Sequence, residues 1–148
     1  MVQARSFYPN SDAVLEGMFL MAMWTEDELD TIGEAAEIQI VTYREDGSPR
    51  KPVPIWVVRV GNDLFIRSVR GRFGGWYQGA RENTDGDIIV DGTAHDVTFE
   101  PADSGLTATI DDAYHTKYHA KSPTHVAPIV APSAAETTLR LVPKQGRE

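Results

Sequence analysis

Two apolar runs in the stretch from Arg50 to Arg81 constrain the fold more than any other part of the chain. The runs, Val53–Val60 and Leu64–Val69, are rich in β-branched residues, and only a Gly-Asn-Asp turn separates them. Such runs are typical of strands, and a turn this short makes two strands neighbours in an antiparallel sheet. The stretch therefore predicts a β-hairpin at the centre of the fold.

The hairpin leads directly into a loop that carries both arginines and glycines, residues 70–75, and then into the aromatic pair Trp76 and Tyr77. Glycine lets a backbone approach a ligand closely, arginine offers two parallel donors to phosphate, and flat aromatic rings offer a stacking face. This combination indicates a site for an anionic, planar ligand. Burial in the core would explain Trp56 and Trp76 equally well.

The positive charge of this region contrasts with an acidic chain. Residues 44–81 contain eight Lys and Arg against three acids, whereas the whole chain has a net charge of −8 and a pI near 4.9. A basic island on an acidic protein attracts anions locally, although basic residues also protect the edges of a solvated hairpin. The overall acidity argues against a general nucleic-acid binder, which needs broad neutralisation of phosphates.

The remaining composition fits one globular domain. The chain has 148 residues and no cysteine, which excludes disulfides, thiolate nucleophiles and cysteine metal sites and is expected of a cytoplasmic protein. No apolar run reaches the roughly 18–20 residues of a membrane span. We expect a partly disordered N-terminal extension (1–23), a folded domain (24–143) and a short tail (144–148). Within the extension, Ala13–Met23 favours an amphipathic helix over a signal peptide, because Glu16 interrupts its apolar core.

Local patterns predict six strands and three helices. Thr25 and Glu28 form the pattern of a capping box at the start of a helix, and Asp91-Gly92 is a strong hairpin signal. The predicted helices are Trp24–Ala36, Trp76–Glu82 and Ala108–Ala120, and Ser122–Ala135, with three prolines, is predicted to be a loop or a short capped turn. The predicted strands are Glu37–Tyr43, Arg50–Val60, Leu64–Ser68, Asp87–Val90, Ala94–Phe99 and Thr137–Val142.

Strands at hairpin spacing with few helical interruptions favour a small antiparallel barrel over a parallel α/β sheet. The fold class is therefore mainly β with helices, a six-stranded antiparallel barrel.

An ordered set of short motifs resembles the split-barrel flavin-binding proteins of the pyridoxamine-phosphate-oxidase-like superfamily. Within it, the chain is most similar to an uncharacterised bacterial branch and to the deazaflavin-dependent, nitroreductase-type proteins. No single motif is highly specific, and the likeness covers about Trp24–Pro143. The motifs are Gly47–Arg50, Pro54–Trp56, Arg67–Gly71, Trp76-Tyr77, Tyr114–Tyr118 and Thr138–Pro143.

This resemblance implies that the six-stranded antiparallel barrel is a split β-barrel of the flavin-binding type. It further implies a homodimer that holds FMN or a deazaflavin coenzyme between its subunits and transfers hydride to an unidentified small molecule. It assigns the cofactor phosphate to Arg50, Lys51, Arg67, Ser68, Arg70 and Arg72, and the ring to Trp56, Trp76 and Tyr77. Tyr77, Tyr114 and Tyr118 are candidate proton donors. Gln78-Gly79 departs from the Asn-Leu of the reductases, and Arg70 or Arg72 replaces their lysine. These departures leave the identity of the cofactor open, including its loss.

Two other interpretations stay open at this point. In the first, the chain is a non-enzymatic, dimeric protein that binds another anionic planar ligand. His115 and His119, four residues apart on a predicted helix, have a spacing that can bind zinc, and His125, Asp111 or Asp112 could add ligands. A polar helix face explains the pair more simply, because no HExxH order is present. Serine-hydrolase and Walker motifs are absent from the sequence.

Overall fold

A seven-stranded antiparallel sheet organises the part of the chain that the computed structural model describes, residues 23–144. The strands are β1 (Ile38–Thr42), β2 (Val53–Ile55), β3 (Val57–Val60), β4 (Asp63–Ile66), β5 (Asp85–Val90), β6 (Thr93–Pro101) and β7 (Leu139–Pro143). The helices are α1 (Glu26–Glu34), α2 (Gly75–Glu82), α3 (Thr107–Tyr118), α4 (Pro123–Val130) and α5 (Pro132–Ala135), with 3₁₀ turns at Gly71–Phe73 and Ser104–Leu106.

The sheet curls into a nearly closed barrel whose seam lies at Trp56. The strand order is β2-β1-β5-β6-β7-β4-β3, so the two end strands of the sheet are consecutive in sequence. Ile55 pairs with Ile38 at one end, whereas Val57 pairs with Ile66 at the other. Because only Trp56 separates them, the chain crosses from one edge of the sheet to the other at this residue.

The barrel interior holds the larger of two hydrophobic clusters. Ile40, Ile88, Val97 and Phe99 from the strands pack there with residues of α1 such as Ile32. Burial of side chains of this size stabilises the fold by about 1.5–3 kcal/mol each.

Trp24 closes one part of this interior just before α1 begins. It is buried, and its indole Nε1–H donates to the Leu141 carbonyl at 2.9 Å. The hydrogen bond satisfies a polar atom that would otherwise be costly to bury.

A second hydrophobic cluster fixes α3 and α4 against the outside of β3 and β4. Phe65 and Val58 from these strands meet Ile110, Tyr114 and Tyr118 from α3, together with Val126 and Ile129 from α4. This layer matters for function because α3 and α4 thereby come to lie beside the seam at Trp56.

Two local predictions are confirmed in detail. The Thr25 hydroxyl accepts from the Glu28 amide at 3.1 Å, and the Glu28 carboxylate accepts from the Thr25 amide at 2.9 Å, which completes the capping box. Asp91 and Gly92 both have positive φ, at 50° and 81°, as a tight hairpin between β5 and β6 requires.

The structure confirms the fold class but corrects two elements. The strand predicted as Arg50–Val60 is two strands, so the sheet has seven rather than six. The segment Ser122–Ala135, predicted as a loop or a short capped turn, contains α4 and α5, each of which begins at a proline. Proline fits the first helical position because its missing N–H has no intrahelical partner there.

The predicted extension and tail lie almost entirely outside the described residues, as does most of the predicted helix Ala13–Met23. None of the described helices is long and apolar enough to cross a membrane.

Candidate functional site

A cleft of about 570 Å³ opens beside the seam of the barrel. Its volume falls within the range typical of small-molecule sites. Three segments and one further residue line it: β2 with Trp56, the residues that follow β4 up to the start of α2, α4, and Glu37 just before β1. The lining residues are Glu37, Val53, Pro54, Ile55, Trp56, Arg67, Ser68, Val69, Arg70, Gly74, Gly75, Trp76, His125, Pro128 and Ile129.

Two tryptophans supply large flat surfaces to this cleft. Trp56 stacks on Tyr118 behind it, with 3.8 Å between ring centroids and 1° between the ring planes. Trp76 meets the edge of Tyr77 at 6.2 Å. Both indoles are partly buried and line the cleft, so the structure brings together two aromatic residues that the sequence places 20 positions apart.

The N-terminus of α2 borders the cleft at Gly74 and Gly75. Gly74 is the N-cap, no side chain caps the helix, and its first turn carries no acid. The first amides of a helix lack intrahelical acceptors and lie at the positive end of the helix dipole. This end of the cleft therefore suits an anionic group such as phosphate.

A tight turn before α2 holds these amides in place. Ser68 Oγ donates to the Gly71 carbonyl at 2.7 Å, and Gly71 itself has a φ of 68°. A Cβ at Gly74 would collide with Ser68 Oγ, whereas a Cβ at Gly75 would meet nothing within 4 Å. Ser68 is thus buried and bonded within the turn.

Arg67 touches the cleft, but its guanidinium is used inside the protein. The side chain is fully buried, and Nη1 donates to Asp111 at 2.6 Å and to the Ile129 carbonyl at 3.1 Å. Nε donates to Thr138 and Nη2 to the Thr107 carbonyl. Four of the five N–H groups therefore have protein acceptors, which gives Arg67 a structural place between β4, α3 and α4.

Arg50 and Lys51 lie outside the cleft lining. Arg50 donates to the Tyr43 carbonyl at 3.1 Å and pairs with Glu82 at 3.4 Å, so it ties the β1–β2 connection to the end of α2. Lys51 is exposed. Arg59, a third basic residue of the region, pairs with two acids of α1. Arg50, Arg59 and Arg67, three of the eight basic residues of the predicted island, thus form ion pairs within the fold.

Arg70 is the exposed arginine that lines the cleft, and Arg72 is not among the lining residues. The Arg72 guanidinium lies 5.4 Å from the centroid of the Phe73 ring on the exposed side of the loop.

Tyr77 is buried in the barrel core, and its hydroxyl accepts from Arg81 at 3.3 Å. Of the nine residues predicted for the cofactor, the structure places Trp56, Arg67, Ser68, Arg70 and Trp76 at the cleft.

The other two tyrosines considered as proton donors also lie behind the cleft wall. Tyr114 is fully buried, and burial raises the pKa of its hydroxyl far above the ordinary value. Burial raises the pKa of Tyr118 to about 12, although the Val57 backbone opposes this shift. Both phenols therefore stay protonated at neutral pH.

Two polar residues of the cleft, Glu37 and His125, were not predicted to lie there, and the sequence suggested His125 only as a possible metal ligand. His125 lies in the first turn of α4, within the segment predicted as a loop or capped turn. Ser122-Pro123 was the available signal, since a serine before a proline is a common helix start. Glu37 gave no signal, because it simply precedes β1.

His115 and His119 lie on one side of α3, with 6.3 Å between their ring centroids. Within residues 23–144, no group of three or more His, Cys, Asp or Glu side chains could hold a metal ion.

Comparison with known proteins adds a family and a fold. Residues 28–141 match the sequence profile of a family described as "Uncharacterized protein conserved in bacteria (DUF2255)". No curated protein sequence matches the chain significantly.

Three solved structures are similar to this one. The conserved hypothetical protein Rv2991 from Mycobacterium tuberculosis has a TM-score of 0.60 at 10% identity, over 85% of this chain and 83% of that one. HutZ, the heme storage protein from Vibrio cholerae, has a TM-score of 0.58 at 16% identity, over 84% and 93%. An F420 reductase has a TM-score of 0.50 at 14% identity, over 84% and 97%. At these identities the likeness establishes the fold, and it confirms the split barrel that the sequence predicts.

Proposed function

The chain belongs to the bacterial family DUF2255, and on that premise we propose that it binds a flavin or deazaflavin cofactor and acts as an oxidoreductase on a small molecule. One observation carries the proposal. The cleft combines a helix N-terminus that no side chain caps and an exposed arginine with two flat indoles, which are the groups that a phosphate-bearing, planar cofactor requires.

The residues divide into two groups by their chemistry. The amides at the start of α2 and the guanidinium of Arg70 are suited to the phosphate, and Trp56 and Trp76 are suited to the ring. Ser68 stabilises the turn before α2, and Arg67 ties β4 to α3 and α4, so neither is assigned a direct contact. A bound flavin-type cofactor would supply hydride transfer, while the chain binds it and shields it from water.

The fold supports this proposal without identifying the cofactor. The similar structures include one described as an F420 reductase and one described as a heme storage protein, so the split barrel accommodates more than one planar ligand. The acidic overall charge also fits, because the cleft has Arg70 and the positive end of α2 on an otherwise negative molecule.

We propose further that two copies of the chain form a homodimer beside the cleft. Val69 is 53% exposed and Phe73 is 71% exposed, and they are the large hydrophobic side chains most open to water among the described residues. Both belong to the connection between β4 and α2, next to the cleft mouth. Contact with a second copy would cover them and restrict access to the cleft.

Light scattering of the chromatographed protein tests the dimer. We expect twice the 16.4 kDa mass of one chain, and Phe73→Asp should shift the equilibrium toward monomer. A wild-type mass near 16.4 kDa at micromolar concentration would contradict the dimer and leave the cofactor proposal standing.

Titration with FMN and with deazaflavin coenzyme, followed by absorbance and fluorescence, tests the cofactor. We expect saturable binding of one of the two, with quenching of tryptophan fluorescence because Trp56 and Trp76 line the cleft. Trp56→Phe and Trp76→Phe should each remove part of the quenching. Failure of both ligands to bind would refute the redox function.

One observation favours a second candidate, a non-enzymatic binder of haem. His125 lines the cleft, and a neutral imidazole is a common iron ligand. Titration with hemin distinguishes this candidate, since ligation by His125 would give a Soret band that His125→Ala shifts or abolishes. Tight binding of FMN or deazaflavin without such a band would exclude it.

A further inference from the structure

We propose that the cleft takes an organic cation as its substrate, and that Glu37 binds the charged nitrogen beside the indole of Trp56. This substrate class rests on the proposed function, because the substrate of an oxidoreductase must reach the cofactor ring in the same cleft. The cation is detectable by binding to the protein alone, so the two proposals can fail separately.

Two side chains of opposite charge line the cleft without neutralising each other. Glu37 and Arg70 are both exposed, and neither forms an ion pair with another residue of the range 23–144. Arg67, the other arginine of the lining, is already paired with Asp111. The cleft therefore offers a ligand one arginine and one carboxylate that the fold itself does not use.

Glu37 lies next to Trp56 at the seam of the barrel. Ile38 pairs with Ile55 in the antiparallel ladder between β1 and β2. The residue before Ile38 therefore comes opposite the residue after Ile55, and these two residues are Glu37 and Trp56. Both line the cleft.

The Tyr118 side chain holds the chain at this point. Its hydroxyl donates to the Ala36 carbonyl at 3.0 Å, and its ring stacks on Trp56. Burial raises the pKa of Tyr118 and the charge of Glu37 adds to that rise, while the Val57 backbone opposes it. The carboxylate thus lies near the Tyr118 hydroxyl as well as on the cleft wall.

A carboxylate in this place is complementary to a cation and not to phosphate. It repels an anionic group, whereas Arg70 and the N-terminus of α2 attract one. The indole beside it is the aromatic ring that attracts cations most strongly. Glu37 and Trp56 together therefore suit a nitrogen that carries a positive charge.

The substrate, rather than the cofactor, is the molecule that meets this carboxylate. The cofactor ring is assigned to the two indoles, and hydride transfer requires the substrate to lie against that ring. A substrate in that position is beside Trp56 and therefore beside Glu37. Small, flat molecules with a protonated amine are the chemical class that fits.

A matched pair of probes, 1-naphthylmethylamine and 1-naphthylmethanol, tests this class, because they share a ring system and only the amine is charged at pH 7.5. We expect calorimetric titration of the full chain to show about tenfold tighter binding of the amine, from the ion pair and the cation–π attraction together. Glu37→Gln should remove this preference. Glu34→Gln, which changes the net charge equally at the exposed end of α1, should keep it.

Fluorine NMR of protein labelled with 5-fluorotryptophan locates the bound amine. The three tryptophans give three resonances, which single Trp→Phe variants assign. We expect the amine to shift the Trp56 signal and to leave the Trp24 signal, which reports the barrel core, in place. An amine that leaves the Trp56 signal unmoved binds elsewhere, and that result would overturn the proposal.

Saturation with FMN or deazaflavin coenzyme before the amine is added separates the two proposals. We expect the amine to bind at least as tightly in the presence of whichever cofactor binds, since substrate and cofactor occupy the cleft together. If neither cofactor binds and the preference for the amine persists, the redox function fails while the cation site is supported. Competition between amine and cofactor, equal binding of amine and alcohol by wild type, or equal losses of preference in Glu37→Gln and Glu34→Gln would overturn the cationic substrate.

Discussion

The ring of Tyr118 lies parallel to the indole of Trp56, with 3.8 Å between their centroids. Trp56 marks the seam where the chain leaves β2 and enters β3, and Tyr118 is in the last turn of α3. The contact therefore links barrel closure, the helical layer and the cleft wall. Substitutions at Tyr118 should separate the contribution of its ring from that of its hydroxyl.

We expect Tyr118→Phe to lower the free energy of unfolding by about 1–2 kcal/mol, because it keeps the stacked ring and loses the hydrogen bond to Ala36. Tyr118→Ala should cost about 3–5 kcal/mol, since it also leaves a cavity beneath Trp56. Urea unfolding of both variants measures the difference. An Ala variant no less stable than the Phe variant would show that the stacked ring contributes nothing.

Arg67 and Arg70 should respond to mutation in opposite ways, although the sequence places them three residues apart. Arg67→Lys should lower the free energy of unfolding by about 3 kcal/mol, because one ammonium cannot reach Asp111, Thr138 and both carbonyls at once and leaves some of these acceptors without a donor. Arg70→Lys is the matched control on the exposed loop and should change it by less than about 0.5 kcal/mol. Equal effects in thermal and urea unfolding would contradict these assignments.

The contrast between these arginines shows what the sequence could and could not predict. The capping box at Thr25 and the hairpin at Asp91-Gly92 were predictable because each depends on residues within a few positions. Burial of Arg67 depends on Asp111 and Thr138, 44 and 71 positions away, which no local pattern brings together. The basic stretch was therefore recognisable, but its division into structural and available side chains was not.

The strand break at Trp56 was hidden for a similar reason. Val53–Val60 is one apolar run in sequence, and only the pairing of its halves with β1 and β4 reveals the seam.

The prolines of residues 122–135 were misleading in another way. Three prolines in this segment predict an interruption, whereas Pro123 and Pro132 begin helices, and α4 thereby brings His125 to the cleft.

A pair of carboxyl groups on β5 and β6 should make stability depend on pH. Asp87 and Asp96 are directly opposite in the sheet. Burial, followed by Asp96, raises the pKa of Asp87, while a hydrogen bond from Tyr43 and the charge of Lys144 oppose the shift. The native state then holds this proton more tightly than the unfolded chain does. The stabilisation that comes from this raised pKa is present at low pH, and it is lost as pH rises above the ordinary carboxyl pKa near 3.9.

Asp96→Asn should therefore raise Tm at pH 7 and have little effect at pH 3, where Asp87, with its raised pKa, holds its proton. Glu45→Gln is the control, because it changes the net charge equally on an exposed turn. Calorimetry at both pH values measures the comparison. A gain in Tm for Glu45→Gln as large as that for Asp96→Asn would mean that net charge, rather than the opposed pair, is responsible.

Two adjacent glycines should tolerate alanine very differently. Gly74→Ala would force its methyl group against Ser68 Oγ and disturb the turn before α2, at a cost of about 1–3 kcal/mol. Gly75→Ala has open space around the new methyl and should leave the free energy of unfolding unchanged or slightly higher. Thermal unfolding of the two variants measures the difference. Equal stability of Gly74→Ala and Gly75→Ala would show that the turn relaxes freely around the new methyl group.

Charge reversal at two arginines of the same loop tests where an anionic ligand binds. Arg70→Glu and Arg72→Glu change the net charge by the same amount, and both side chains are exposed, but only Arg70 lines the cleft. A charge-assisted hydrogen bond to phosphate is worth roughly 1.5–3 kcal/mol, so Arg70→Glu should weaken FMN or deazaflavin binding by at least about ten- to a hundredfold.

Arg72→Glu should weaken binding only by reducing the long-range attraction between the protein and the anionic ligand. Raising the salt concentration from about 50 to 200 mM should remove most of this effect, because the Debye length shortens. The loss at Arg70 should persist in that salt, since a direct contact is screened less. Fluorescence titrations of wild type and both variants at the two salt concentrations provide the comparison. If the two reversals weaken binding equally in high salt, the phosphate lies away from the α2 end of the cleft, and the assignment of Arg70 to it is wrong.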